Sequence, residues 1–222
     1  MSAYKGFEKN RSFNQFWMSL VFLAVIIWGW FYPLLGFFIP ACMLLGVGIA
    51  LKKGRKWCDW YCPRGSFYDC MIKPVSPKKG IPSVFKNTYV RIGVLVFLMV
   101  VMAVNLIKRW SSIDRIGMFF VIILTVTTVL GIILALFFHQ RSWCCVCPIG
   151  TLSNWVGRGK KELRIDSKLC TECRLCFKVC PIQIAPNKFK KDKIEVMADS
   201  DCLKCGLCVT ACPTSALSMD DG

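Results

Sequence analysis

Fifteen cysteines in 222 residues fall into two patterns with chemical meaning. In the last third of the chain, Cys170-x2-Cys173-x2-Cys176-x3-Cys180-Pro181 recurs 32 residues later as Cys202-x2-Cys205-x2-Cys208-x3-Cys212-Pro213. This double run is the spacing with which thiolates hold a pair of [4Fe-4S] cubanes: three closely spaced cysteines wrap one cluster, and the fourth, leaving with its proline, ligates the neighbour. Cys170, Cys173, Cys176 and Cys212 are thus expected to form one set, and Cys202, Cys205, Cys208 and Cys180 the other. Structural zinc also takes C-x2-C pairs, but zinc needs four thiolates and leaves the third C-x2-C and the Cys-Pro without a task.

The second pattern lies earlier. Trp57-Cys58-Asp59-Trp60-Tyr61-Cys62-Pro63-Arg64-Gly65-Ser66 and Trp143-Cys144-Cys145-Val146-Cys147-Pro148-Ile149-Gly150-Thr151 share the form W-C-x(2 or 3)-C-P-x-G-[ST]. Brought together, Cys58, Cys62, Cys147 and one of Cys144 or Cys145 suit a third iron-sulfur cluster. Cys70 and the extra cysteine of the 144/145 pair leave room for one more; the bland readings are structural zinc or reduced thiols that pack helix ends. Disulfides do not suit a reducing compartment. Trp57, Trp60, Tyr61 and Trp143 beside these motifs read as an aromatic belt at a membrane interface.

Four apolar runs must position these motifs: Phe16 to Tyr32, Leu34 to Leu51, Tyr89 to Ile107 and Ile116 to Phe138. Each is roughly 17 to 23 residues, enough to cross about 30 Å of hydrocarbon. Pro33 and Pro40 make the first pair the weaker one, with a kinked or re-entrant hairpin as its alternative. Each motif follows two apolar runs, so both fall on one side of the bilayer, and a pseudo-twofold about the membrane normal brings them together. Lys73 to Pro82 reads as a surface loop with its lysines near anionic head groups. Gly157 to Lys168 reads as a charged linker. The expected architecture is a membrane α-helical domain over residues 1–157, with four transmembrane helices as two repeated hairpins, and a small α+β two-cluster domain over 158–222.

Composition narrows the chemistry further. The hydrophobic content of 55% is too high for an ordinary soluble domain. A single His cannot supply two axial imidazoles to a membrane haem, and no C-x-x-C-H string exists. Of the 29 Lys and Arg, only Lys108, Arg109 and Arg115 fall on the side away from the motifs. The positive-inside rule then places both termini and all clusters on the cytoplasmic side of the inner membrane. The formal charge of +16 favours an anionic bilayer or an acidic redox partner over nucleic acid, because the lysines are spread along membrane and cluster segments and not gathered on a recognition element.

Four membrane helices with two Cys-Pro motifs and a ferredoxin-like tail resemble the polyferredoxin membrane subunits of the NapH and NosR type. Cys58 and Cys62-Pro63 match the first membrane motif of that family, and Cys144 and Cys147-Pro148 the second. The second is one residue short of the usual C-x3-C-P, with Cys145 added. The resemblance implies an electron-transfer subunit that relays electrons between the quinone pool and other redox subunits. Candidate quinone-binding residues on the motif side are His139, Gln140, Arg141 and Asp59, since quinone chemistry moves protons and an imidazole titrates near neutral pH. Two alternatives compete: a redox accessory for metal-centre assembly that uses Cys144 and Cys145, and a passive membrane tether for a ferredoxin module.

Overall fold

The computed structural model describes residues 2–77, 79–189, 194–197 and 199–219. Among them, four spans are long and apolar enough to cross a membrane, at residues 4–29, 33–53, 88–108 and 113–137. They correspond to helices α1 (Ser2–Gly29), α2 (Phe38–Lys53), α5 (Thr88–Lys108) and α6 (Ile113–Phe137). α6 is the central one, with 44% of its apolar window buried against 11% for α5.

The proline-bearing turn does not break the second span. Pro33 opens a 3-10 turn, Pro33–Phe37, and Pro40 is the third residue of α2. There its missing N–H is one that a helix start leaves unpaired in any case. The turn lies directly across α6: a Cβ on Gly36 would collide with the Gly117 carbonyl, and one on Gly117 with the Pro33 carbonyl. The first hairpin is thereby locked to the last helix.

α1 begins well before the first apolar run. Arg11, Gln15, Ser19, Phe22 and Val25 recur at helical spacing and are all buried, so one polar and apolar stripe faces inward along most of the helix. Polar residues at its start conceal this face from a search for apolar runs.

After each long pair the chain repeats one construction. α2 gives way to α3 (Lys56–Trp60), Cys62 and α4 (Pro63–Phe67); α6 gives way to α7 (Ser142–Val146), Cys147 and α8 (Pro148–Val156). In both, the cysteine is the N-cap and the proline takes the first helical position, where its fixed φ and absent N–H cost nothing. α4 packs on α1, and α8 packs on α2. Trp57 and Trp143 are only 6% and 7% exposed, so these two form part of the core and not a lipid-facing belt.

The tail contains a three-stranded antiparallel sheet in the order β2-β1-β3. β1 (Leu163–Asp166) is central and pairs with β2 (Ile194–Val196) and β3 (Leu217–Met219). The segment expected as a linker therefore contains the middle strand, with Leu163 and Ile165 each 1% exposed. The short helices α9 (Leu175–Lys178) and α10 (Leu207–Ala211) follow the second cysteine of each run and carry the third.

The loop after the first motif is not free on the surface. Ser76 Oγ donates to the Ala135 carbonyl at 2.8 Å, the Ile81 N–H donates to Gln183 Oε1 at 2.9 Å, and Gln183 Nε2 donates to the Lys79 carbonyl at 3.2 Å. It ties α6 to the tail.

Candidate metal centres

Two small cavities of nearly equal size open in the tail. The first is lined by Cys170, Cys173, Cys176 and Cys212, the second by Cys180, Cys202, Cys205 and Cys208. These are the two sets that the spacing predicts. In both, the turn around the cavity uses left-handed backbone at matching places: Glu172 (φ 55°) and Arg174 (φ 59°) in one, Lys204 (φ 53°) and Gly206 (φ 84°) in the other. Alternation of hand turns successive N–H groups toward one interior, a geometry suited to an anionic centre. At the second ring the Ile184 N–H donates to Cys180 Sγ at 3.3 Å. The rings differ in setting: Cys173 is exposed, whereas Cys202, Cys205 and Cys208 are buried.

A third, larger cavity sits where the two membrane motifs meet. Cys58, Cys62, Cys144 and Cys147 line one part of it, and Ile39, Met43, Leu98, Met102, Phe120 and Leu124 carry it into the helix bundle. Cys145 is not on its wall; one position along a helix turns a side chain by about 100°, and Cys145 Sγ lies 3.8 Å from the Arg141 carbonyl. Burial pushes the Cys145 thiol up to about 11 and also raises those of Cys58, Cys62 and Cys144. Cys144 and Cys145 thus face different surroundings, which does not suit a paired metal-transfer site. Cys42 lines the cavity from α2. Cys70 lies outside it on a single π-helical turn, Tyr68–Ile72.

The residues fit anionic clusters on three counts. Among the described residues, no three His, Cys, Asp or Glu side chains converge as they would on a single ion. Tetrahedral zinc would draw its sulfurs to roughly 3.8 Å of one another, given a Zn–S bond of about 2.3 Å. Instead each set of thiols rings a space. Trp143, on the wall of the large cavity, has a buried indole N–H with no acceptor among the described residues. Arg64 reaches the same wall, its Nη2 donating to Cys147 Sγ at 3.2 Å.

An exchange of arginines joins the two motifs. Arg55 Nη2 donates to the Cys144 carbonyl at 3.1 Å, and Arg141 Nη1 donates to the Cys58 carbonyl at 2.9 Å. Each arginine stands three residues before the first cysteine of its own motif and clamps the other one. The glycines after the Cys-Pro make room for them: a Cβ at Gly65 would lie 2.8 Å from the Cys58 carbonyl and 2.9 Å from Arg141 Nη1, and one at Gly150 would lie 2.9 Å from the Cys144 carbonyl and 3.0 Å from Arg55 Nη2. The repeat is therefore R-x-W-C…C-P-x-G. Its arginines, identical in placement, were readable in the chain but carry no metal chemistry themselves.

Acidic residues hold this junction closed. Arg141 donates to Asp69 through Nε at 2.9 Å and Nη2 at 2.7 Å, and its Nη2 lies 3.3 Å from Asp59. Arg11 grips Asp59 at 2.7 and 2.6 Å and reaches Asp69 at 2.8 Å. Gln15 donates to the Asp59 carbonyl and to Asp69. Burial opposes ionisation of Asp69, but the Arg141 and Arg11 guanidiniums outweigh it and hold the carboxyl well below the usual range.

The proposed quinone residues fall into this group and not onto the cavity. Asp59 and Arg141 are fully buried in the ion pairs; His139 and Gln140 are 5% exposed, with the Arg141 N–H donating to His139 Nδ1 at 3.2 Å. None of the four lines the large cavity. Arg11, Arg55, Arg64, Asp69, Arg91 and Asp201, not singled out from the sequence, build the junction instead.

A model described as a 4Fe-4S dicluster domain matches residues 162–213, and one described as a 4Fe-4S binding domain matches twice, at residues 35–82 and 116–166. An uncharacterized protein of Methanocaldococcus jannaschii is 29% identical over 88% of this chain and 80% of its own length. The ferredoxin-type protein NapH of Haemophilus influenzae is 29% identical over 78% of this chain and 66% of its length. YccM of Escherichia coli is 25% identical over 79% of this chain, which spans 54% of that relative. No solved structure matches. The chain is an integral membrane protein with iron-sulfur domains.

Proposed function

We propose that this chain, a homologue of the ferredoxin-type protein NapH and of YccM, is a membrane electron relay between quinone and a partner oxidoreductase. The carrying observation is the order of the three thiol-lined cavities. Trp57 and Cys58 of the first membrane motif share one packed core with Cys202, Cys205 and Cys208 of the tail. Trp60 Nε1 donates to the Cys205 carbonyl at 3.4 Å, and Phe7 of α1 packs edge-on against Trp60. The second tail ring is therefore seated against the membrane junction, and the first, with its exposed Cys173, faces outward.

Cys58, Cys62, Cys144 and Cys147 hold the membrane cluster; Cys202, Cys205, Cys208 and Cys180 hold the next; Cys170, Cys173, Cys176 and Cys212 hold the last. Bound cubanes supply reversible one-electron chemistry. The chain supplies position, a dry surround of Trp57, Trp143 and Leu203, and a boundary for the quinone. The quinone ring belongs in the apolar part of the large cavity, beside Met43, Leu98 and Met102, and not at Asp59 and Arg141, which the ion pairs close off, or at His139, which is buried beside Arg141. The excess of Lys and Arg on the motif side supports a cytoplasmic position for all three rings. A partner takes or gives electrons at the outer ring.

Iron and acid-labile sulfide per chain, measured on anaerobically purified protein, test the assignment. About twelve of each fits three cubanes, and about eight leaves the membrane motifs without one. Addition of a reduced quinone analogue then bleaches the cluster absorbance if the relay is quinone-linked. An unbleached spectrum with twelve irons present removes quinone from the proposal.

A further inference from the structure

We infer that Arg64 is the counter-charge of the membrane thiol ring, balancing the anionic cluster held there and raising its midpoint potential. The inference rests on the three-cluster reading above.

Arg64 stands between Pro63 and Gly65 in the first motif; the matching residue of the second is Ile149. The ring therefore receives one guanidinium from these positions, supplied by the first half and reaching into the second. Its Nη2 donates to Cys147 Sγ at 3.2 Å, its Nη1 donates to Thr127 Oγ1 at 3.0 Å, and its head lies 5.3 Å from the centre of the Trp143 ring. The Thr127 hydroxyl is itself turned toward α6, with Oγ1 2.7 Å from the Ile123 carbonyl, so its hydrogen is engaged there and a lone pair is left to accept from Arg64. This fixes the guanidinium against Cys147.

The other arginines around the junction, including Arg141, whose Nη1 also lies 3.8 Å from Cys144 Sγ, have carboxylate partners: Arg11 and Arg141 pair with Asp59 and Asp69, and Arg55 and Arg91 with Asp201. Arg64 has no such ion pair among the described residues, and neither Asp nor Glu lines the cavity. A guanidinium remains charged in any protein, and holding it against an apolar cavity is costly unless an opposite charge is near. Neutral thiols do not offset it. Four thiolates around a cubane carry net negative charge, and reduction adds one more electron. A fixed cation with an N–H on a ligand sulfur stabilises the more negative, reduced form most, which raises the potential.

Redox titration of each cluster by electron paramagnetic resonance, on Arg64→Gln, Arg64→Lys and Thr127→Val proteins with iron counted in each, tests this. In Arg64→Gln the membrane cluster's midpoint falls while those of the two tail clusters stay in place; Thr127→Val moves it the same way by less, and Arg64→Lys recovers part of the shift. Loss of about a third of the iron in Arg64→Gln but not in Arg64→Lys supports charge balance equally, since a cluster then needs the cation to persist. The proposal is overturned by an unmoved midpoint in Arg64→Gln at full iron content, by equal movement of all three clusters, or by equal damage in the Gln and Lys proteins. Wild-type protein with about eight irons overturns the three-cluster reading itself, before any variant is made.

Discussion

Arg91 and Asp201, 110 residues apart in the chain, meet in a bidentate ion pair with both N–H···O distances at 2.6 Å. Arg55 adds a contact at 3.2 Å and Asn154 another at 2.8 Å, so one carboxylate of the tail is held by α5, by the first junction and by α8. Asp201 directly precedes Cys202, which ties docking of the tail to the position of its inner thiol ring. Burial raises the Asp201 carboxyl, but the Arg91 hydrogen bonds and the Arg55 charge hold it below the ordinary carboxylate range. A lowered folded-state value contributes stability above the unfolded value, and that contribution is lost as pH falls through the folded one. Asp201→Asn leaves two nearly buried guanidiniums without a counter-charge and is expected to cost about 3 kcal/mol. Limited proteolysis within residues 157–162 should accelerate in the variant; cleavage at the wild-type rate rejects the docking role.

The same arrangement recurs in the first half with Arg11 on α1, Asp59 and Arg141, which shows what the sequence conceals. Asp59 aligns with Cys145, so the second motif has no carboxylate of its own and borrows Asp201 from the tail. No local pattern reveals that loan, because the partners meet only when the tail folds onto the junction. The cysteine sets of the tail, in contrast, are legible at once: wrapping a cubane is a local act, and the spacing is its record. Trp57 and Trp143 misread as belt residues for a related reason, since an interfacial tryptophan and one buried in the core look alike without the R-x-W-C context.

Cys144 and Cys145 could not be told apart by spacing, since the second motif has C-x2-C-P where the first has C-x3-C-P. Alignment from the arginine supports the proposed ligand, Cys144: Arg55 to Cys58 and Arg141 to Cys144 are both three steps, and Cys144 is the one on the cavity wall. Cys144→Ser is expected to lose about four irons per chain, one cubane, whereas Cys145→Ser keeps the full complement. The reverse ranking of the two variants by iron analysis refutes the ligand assignment.

Gly65 and Gly150 should be the least replaceable small residues of the junction. A methyl at either meets the carbonyl of the first cysteine of its own motif and a clamping guanidinium within 3.0 Å. The guanidinium can shift; the backbone carbonyl cannot without moving Cys58 or Cys144. Gly65→Ala and Gly150→Ala should each cost about 2 kcal/mol, together with part of the membrane-ring iron, while the tail clusters retain their spectra. Thermal unfolding in detergent at the wild-type midpoint argues against the packing described here.

The tail's two rings predict an order of oxidative loss. Cys173 is exposed and its neighbours Cys170, Cys176 and Cys212 are only half-buried, whereas Cys202, Cys205 and Cys208 lie under Leu203 and Leu207 and against Trp57. Oxygen reaches a cluster through the solvent at its rim, so the outer one should be lost first on exposure to air. Alkylation of freed thiols at timed intervals, read by mass spectrometry, should label Cys170, Cys173, Cys176 and Cys212 several-fold faster than the inner set. Asp201→Asn should narrow that difference, because a loosened tail exposes the inner ring as well. Simultaneous labelling of both sets in the wild-type protein contradicts the buried setting of the inner ring, and with it the assignment of the outer ring as the side open to a partner.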